Sequence, residues 1–310
     1  MDKNLALEFV RVTEGAAIAA ARFHGRGDKH AADGAAVSAM RDRLSSIDFS
    51  GIVVSGEGEK DSAPMLYVGE NLGTGKGFEV DIAVDPLECT THLSEGRPNS
   101  MSVIALGKRG GLLATPGTYM EQLAVGKAAV GKVDITAPIK DTVKAVAESI
   151  EKDVEDIVVA ILLRERNQRY IEEVRQCGAR ITLFDHGTVA HGIAPALEDN
   201  TIDMMVCIGG APEAVLTACA LKCLGGEMQA RFRPHTDKVR EEMRAFGYSE
   251  EQVFRLEDLA KGKVMFVATG ITYGPLLRGV HFSPDRITTH SVVMRSSTGT
   301  VRFIEAHHRH

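Results

Sequence analysis

The chain has 310 residues, 44% hydrophobic and 25% charged, which suits a substantial core in two fused lobes or one large fold. Net charge is −6 with no basic run, tryptophan is absent and aromatics reach only 5%, so neither a phosphate-neutralising nucleic-acid surface nor a base-stacking platform is expected. The longest wholly apolar run, 157–163, falls far short of the ~20 residues that cross a bilayer, and Met1-Asp2-Lys3-Asn4 does not begin a secretory signal; the expectation is a cytoplasmic protein with no membrane or nucleic-acid partner.

In chain order, residues 5–24 are alanine-rich with a helical apolar stripe, and 34–45 predict a second, short helix. Residues 51–55 read as a strand running into the loop Gly56-Glu57-Gly58-Glu59. Over 78–85, Phe78, Val80, Ile82 and Val84 alternate with Glu79, Asp81, Ala83 and Asp85, the pattern of a strand with one apolar and one polar face. A strand over 102–106 ends at a turn over 108–111. Near residue 140 the character changes. Apolar, β-branched runs at 157–163, 180–184, 204–208 and 264–268 are separated by helical segments such as 167–177 and 212–224, which predicts a mostly parallel sheet covered on both faces. Residues 291–305 supply a last pair of strands. The class is α/β, with a mixed sheet in an N-terminal lobe (1–145) and a mostly parallel one in a C-terminal lobe (146–310).

Five acids stand beside turns or element ends, where side chains can converge: Asp33, opening the second helix, Glu57, Asp85, Glu88 and Glu213. Crowded carboxylates repel, and divalent cations relieve that repulsion; oxygen ligands suit Mg²⁺ or Mn²⁺. A pair of such ions can clamp a phosphate and activate a water, which the hydroxyl of Thr90 or Thr91 is placed to orient. Each acid also has a plainer reading: Asp33 as a helix cap, Glu57 as a solvated turn residue, Asp85 as a strand end, Glu213 as a first-turn acid. Gly73-Thr-Gly-Lys-Gly77 lacks the Ser or Thr of a phosphate loop after Lys76 and reads as a turn. The five cysteines lack zinc spacing, and Cys219 and Cys223, on one helical face, read as buried thiols in a reducing compartment. The histidines show no zinc-ligand spacing.

The order of these motifs carries more than any one of them. An Ala-Asp at a helix, then Gly56-Glu-Gly-Glu59 after a strand, then Asp85-Pro-Leu-Glu-Cys-Thr90 after another, resembles the lithium-sensitive, metal-dependent sugar phosphatase superfamily. More closely, the chain resembles the class II fructose-1,6-bisphosphatases of bacteria. The likeness runs from about residue 6 to 305 through Arg11-Val-Thr-Glu14, Gly25-Arg-Gly-Asp-Lys29, Ala63-Pro-Met-Leu-Tyr67, Glu79-Val-Asp-Ile-Ala-Val-Asp-Pro86, Gly209-Gly-Ala-Pro-Glu213, Cys223-Leu-Gly-Gly226 and Ala268-Thr-Gly-Ile-Thr272.

The resemblance implies a layered α-β-α-β-α sandwich and metal-dependent hydrolysis of the 1-phosphate of fructose 1,6-bisphosphate, in gluconeogenesis. It implies two or more Mn²⁺ or Mg²⁺ ions per site and a homo-oligomer, dimer or tetramer. Asp33 and Glu57 match one metal pair, and Asp85, Glu88 and Glu213 match the ligands of a second ion. Thr90, Glu57 and Asp85 form the catalytic set, with Thr90 assisting the attacking water. Substrate-contacting positions are Glu88, Cys89, Thr90, Tyr119, Arg164, Glu165, Arg166, His186, Gly187, Thr188 and Gly210. The N-terminal lobe would then hold metal, and the C-terminal lobe would bind the phosphosugar and supply Glu213.

Six positions in four places depart from the family pattern: Cys89 and Ala214 for glycines, Glu165 and Asn167 in an Arg-Pro-Arg-His motif, and His186 with Thr188 in an Asp-Gly-Asp motif. These departures leave two alternatives: a paralogue acting on sedoheptulose 1,7-bisphosphate or another phosphosugar, or a non-catalytic sugar-phosphate-binding protein.

Overall fold

A computed structural model describes residues 5–56, 65–198 and 200–309. In chain order the elements are α1 (Leu5–Ala21), α2 (Lys29–Leu44), β1 (Ser50–Ser55), β2 (Asn71–Leu72), β3 (Glu79–Glu88), α3 (Thr90–Ser94) and β4 (Met101–Lys108). There follow β5 (Tyr119–Val125), α4 (Ile139–Ser149), β6 (Val158–Leu162), α5 (Gln168–Gln176), β7 (Arg180–Phe184), α6 (Thr188–Ile193) and β8 (Met204–Gly210). Next come α7 (Ala211–Leu224), β9 (Glu227–Arg233), α8 (Asp237–Ala245), β10 (Phe254–Arg255) and α9 (Leu256–Leu259). The chain closes with β11 (Val264–Gly270), β12 (His281–Phe282), β13 (Arg286–Arg295) and β14 (Thr300–Arg309).

The class is α/β, as expected, but the units divide elsewhere than at 145/146. One unit is Met1–Ala114 with Gly262–His310, and the other is Thr115–Lys261. Hydrogen bonding explains the shift. β11 pairs antiparallel with β4 along its whole length and so belongs to the first sheet, while β5 lies between β8 and β9 in the second.

The first unit's sheet runs β12-β13-β11-β4-β3-β1-β2, with β14 on the far side of β13. It is mixed, as predicted, with β1 and β3 as its parallel pair. The second sheet runs β10-β9-β5-β8-β6-β7. Only β7-β6-β8 are parallel; β8-β5, β5-β9 and β9-β10 are antiparallel, which corrects the expectation of a mostly parallel sheet. Apolar runs do not report strand direction, because any strand covered on both faces reads as one.

The second helix begins at Lys29 rather than near 34, because Asp28 caps it by accepting from the Ala31 N–H at 2.9 Å. Asp33 therefore lies within the helix, not at its opening. The turn expected at Gly73-Thr-Gly-Lys-Gly77 is present, with Gly73, Gly75 and Gly77 all at positive φ. The first core gathers Phe9, Met40, Leu44, Phe49, Ile82 and Leu93; the second gathers Leu123, Val143, Ile161, Ile171, Val174 and Val206. Burying such side chains is the main driving term for each unit.

Two motifs of the family resemblance tie α1 to its sheet. Thr13 Oγ1 meets Thr269 Oγ1 at 2.7 Å, Thr269 meets Ser291 Oγ at 2.8 Å, and Thr289 Oγ1 donates to Glu14 Oε1 at 3.1 Å. Burial raises the Glu14 pKa, against the opposing pull of His308.

The predicted polar face of β3 is not a solvent face, since Asp81 (2% exposed) and Ala83 are buried with their apolar neighbours. The Asp81 carboxylate instead accepts from the Gly111 and Leu112 N–H groups, at 2.8 and 3.1 Å, and holds the turn after β4. Replacing Asp81 with Ala strips two buried donors of their acceptor, and denaturant unfolding is expected to show a loss of about 2–4 kcal/mol.

Candidate functional site

In the first unit, β3 delivers the predicted residues. Asp85 pairs with Val103 and Glu88 with Met101, so three steps on β3 face two on β4, and the extra residue makes a bulge. The bulge houses Pro86, which has no N–H to give a ladder. Asp85 is half-buried and its Oδ1 accepts from the Leu87 N–H at 3.1 Å. Glu88 is buried, with 4% exposure.

Cys89 follows at φ 66°, ψ 44°, the left-handed region, and leads into α3. The family's glycine at this place has its reason here, and Cys89 occupies the same conformation with a side chain. Thr90 is half-buried and its Oγ1 donates to the Leu87 carbonyl at 3.0 Å. Asp33 sits half-buried on α2, which packs on β3 and α3, and burial raises its pKa against the effect of His30. β1, parallel to β3, ends with Ser55 opposite Ala83; Glu57, two residues on, lies outside the described residues.

In the second unit, strand direction does the gathering. Because β6, β7 and β8 are parallel, their carboxyl ends leave the sheet along one edge. Arg164, Glu165 and Arg166 follow β6; His186, Gly187 and Thr188 follow β7; Gly210 ends β8, and Glu213 lies in the first turn of α7. β5 runs the other way and starts at this edge, with Tyr119 opposite Gly210 and, on its other side, Arg233.

The Arg166 guanidinium carbon lies 4.1 Å from the Tyr119 ring centroid, a cation–π stack, and its Nε donates to the Ile208 carbonyl at 2.9 Å. Tyr119 in turn packs against His235 with ring centroids 5.0 Å apart. Arg164 reaches His186, Nη2 to Nε2, at 3.2 Å. Glu165 is exposed, whereas Thr188 is buried and Gly187 is left-handed at the start of α6. Ala214 is fully buried, so the loss of the family's glycine there leaves its methyl within the protein.

Glu213 is half-buried as a residue, yet its Oε2 is sealed from solvent with no hydrogen-bond partner among the described residues. Its carboxylate folds back on Gly210, where a Cβ would stand 1.9 Å from Oε2. Burial raises its pKa, opposed by its own backbone N–H and by Arg166. Among the described residues no three His, Cys, Asp or Glu side chains stand together as a metal centre. The residues nevertheless fit a hard divalent cation: the predicted donors are all carboxylates, and Glu213 presents a buried oxygen without a donor.

Sequence reasoning missed three neighbours of these residues: Gln122, Arg233 and His235. Gln122 is fully buried in β5 beside the buried Glu121, and two such polar residues in one covered strand could have flagged the place. The five cysteines form no disulfide; Cys219 and Cys223 are buried as expected, and so is Cys207, whose thiol burial pushes up to about 12.

Two tests follow from this geometry. A β-branched residue tolerates left-handed backbone poorly, so Cys89→Val is expected to lower unfolding stability by about 2 kcal/mol, and Cys89→Gly by less than half of that. For Glu213 the folded-state pKa is raised, so its stabilising contribution is complete below the unfolded value and is lost as pH rises through the folded one. Metal-free Glu213→Gln is therefore expected to melt above the parent at pH ~8, the gap closing toward pH ~4.3, in thermal unfolding with EDTA.

Comparison with known proteins places the chain in a family. The model of the family described as bacterial fructose-1,6-bisphosphatase, glpX-encoded, matches residues 3–308. The chain is 40% identical over 322 aligned positions to fructose-1,6-bisphosphatase 1 class 2 of Escherichia coli K12, covering 99% of this chain and 96% of that one. It is equally similar, at 40%, to the fructose-1,6-bisphosphatase class 2 of Shigella flexneri. The chain belongs to the family of bacterial, glpX-encoded fructose-1,6-bisphosphatases.

Proposed function

We propose that this protein is a phosphoric monoester hydrolase that removes the 1-phosphate of fructose 1,6-bisphosphate, giving fructose 6-phosphate and phosphate, with Mn²⁺ or Mg²⁺. The observation that carries the reading is Arg166. Stacked on Tyr119 and tied through Nε, it has two terminal nitrogens with no hydrogen bond among the described residues, at the same sheet edge as Glu213. A guanidinium fork of that kind binds phosphate oxygens in two-pronged fashion.

Asp33, Glu57, Asp85, Glu88 and Glu213 would hold two or more ions. When bound, such ions lower the pKa of a water and neutralise charge on the phosphate oxygens. Thr90 spends its proton on the Leu87 carbonyl, so its oxygen accepts from the attacking water and fixes that water's direction. Arg164, Arg166 and Tyr119 would grip the phosphate that does not react, and Gly210 and Thr188 would border the sugar. Binding energy from that remote phosphate orients the ester for in-line attack.

His186 and Thr188 replace two acids of the family pattern and change what faces the sugar hydroxyls, while both arginines are kept. Five cysteines that form no disulfide support placing the enzyme in a reducing cytoplasm. We read it as a homo-oligomer, as the family resemblance implies.

Phosphate release from fructose 1,6-bisphosphate with Mn²⁺ or Mg²⁺ tests the proposal directly. Turnover that EDTA abolishes, and that Glu213→Gln lowers at least about a thousandfold, is the expected result. Faster release from sedoheptulose 1,7-bisphosphate, or none from any phosphosugar, would overturn it.

A further inference from the structure

On its β6 side the end of β8 is held by a side chain where backbone pairing stops, while on its β5 side pairing continues to Gly210. β6 and β8 pair only at Val159–Met204 and Ala160–Met205. Beyond that, Asn167, fully buried, supplies the connection. Its Oδ1 accepts from the Ile208 N–H at 2.6 Å, and its Nδ2 donates to the Leu162 carbonyl at 2.9 Å and the Ile208 carbonyl at 3.3 Å. The Ile208 carbonyl is also the acceptor for Arg166 Nε. From the β5 side a second buried amide, Gln122, donates Nε2 to the Gly210 carbonyl at 2.9 Å. Gly209 between them sits tightly: a Cβ there would lie 3.0 Å from Gln122 Nε2 and 3.1 Å from Thr188 Cγ2.

We propose that Asn167 and Gln122 are positioning residues for the phosphatase reaction, Asn167 setting the reach of Arg166 and Gln122 setting the Gly210 peptide on which Glu213 turns. This rests on reading Arg166 as the phosphate grip and Glu213 as a metal ligand. A role in folding alone fits poorly. Gln122 Oε1 is buried without a partner among the described residues, so the amide is an expensive way to fill that space, and leucine would fill it more cheaply. Asn167 and Arg166 share one carbonyl, so a displacement of that carbonyl moves the guanidinium and its stack on Tyr119 together. Errors of about 1 Å in such groups weaken binding and catalysis severely.

The test separates the two arms. In Asn167→Ala, KM for fructose 1,6-bisphosphate is expected to rise about tenfold, kcat to change less than about threefold, and Mn²⁺ affinity, read from the electron paramagnetic resonance signal of free ion, to stay constant. In an Arg166→Ala background the same change should add nothing. Gln122→Leu is expected to weaken Mn²⁺ binding about tenfold while the metal-free melting temperature holds or rises. An Asn167→Ala penalty that persists undiminished without the Arg166 side chain overturns the proposal, as does a Gln122→Leu protein that melts lower yet binds Mn²⁺ normally. If Asn167→Ala does not fold, Asn167→Asp, which keeps the Oδ1 acceptor and loses both donors, must show the same KM effect. Should the parent protein release no phosphate from fructose 1,6-bisphosphate, the substrate reading fails on that result alone. Calorimetric affinity for inorganic phosphate then replaces KM, and an Asn167→Ala protein that binds phosphate as the parent does overturns the positioning role.

Discussion

When neighbouring strands run parallel, their carboxyl ends must all leave the sheet along the same edge, and whatever follows them in sequence is brought together there. In the second unit β6, β7 and β8 obey this rule, so three loops scattered over some fifty residues of sequence meet at one line. The antiparallel β5 adds to the line by starting where the others finish. Tyr119 is thus set under the Arg166 guanidinium, and Gly210 beside Tyr119 leaves room for the Glu213 carboxylate. The arginines and the acid come from loops that share only this edge.

In the first unit the constraint is local. One strand, β3, carries two candidate ligands, and a bulge around Pro86 resets its register between them. The chain then turns through a left-handed residue, Cys89, so that Thr90 starts a short helix immediately beyond Glu88. A buried carboxylate in the same strand, Asp81, holds the turn beyond β4 through two backbone N–H groups. Acids in one strand therefore do different work. Asp81 lies inside the strand and holds a turn of the fold, while Asp85 and Glu88 stand at the strand's end, where the family resemblance puts a metal.

Much of this was legible in the residues alone. Runs of β-branched residues marked β6, β7, β8 and β11, and the helices at 5–21, 168–176 and 211–224 follow from apolar periodicity. The ordered acidic motifs, with their glycines and proline, pointed to the family by resemblance, and the family match bears that out. At position 89 the family resemblance pointed to a glycine, and the left-handed backbone of Cys89 gives the reason for it.

Tertiary structure decided the rest. Apolar content is blind to strand direction, so the antiparallel half of the second sheet was invisible, as was the return of β11 to the first unit. Alternation in β3 separated its two faces but left the partner of Asp81 open, because a carboxylate satisfied by two N–H groups looks in sequence like one satisfied by water. Capping by Asp28 moved Asp33 into the body of its helix. The amides of Asn167 and Gln122 gain their meaning only from the backbone groups of residues 208 and 210, distant in sequence. Composition and spacing determine which chemistry a chain can hold, because they fix the available groups and the local backbone. Which groups meet depends on pairing and register, and those are settled by contacts between segments that no local pattern encodes.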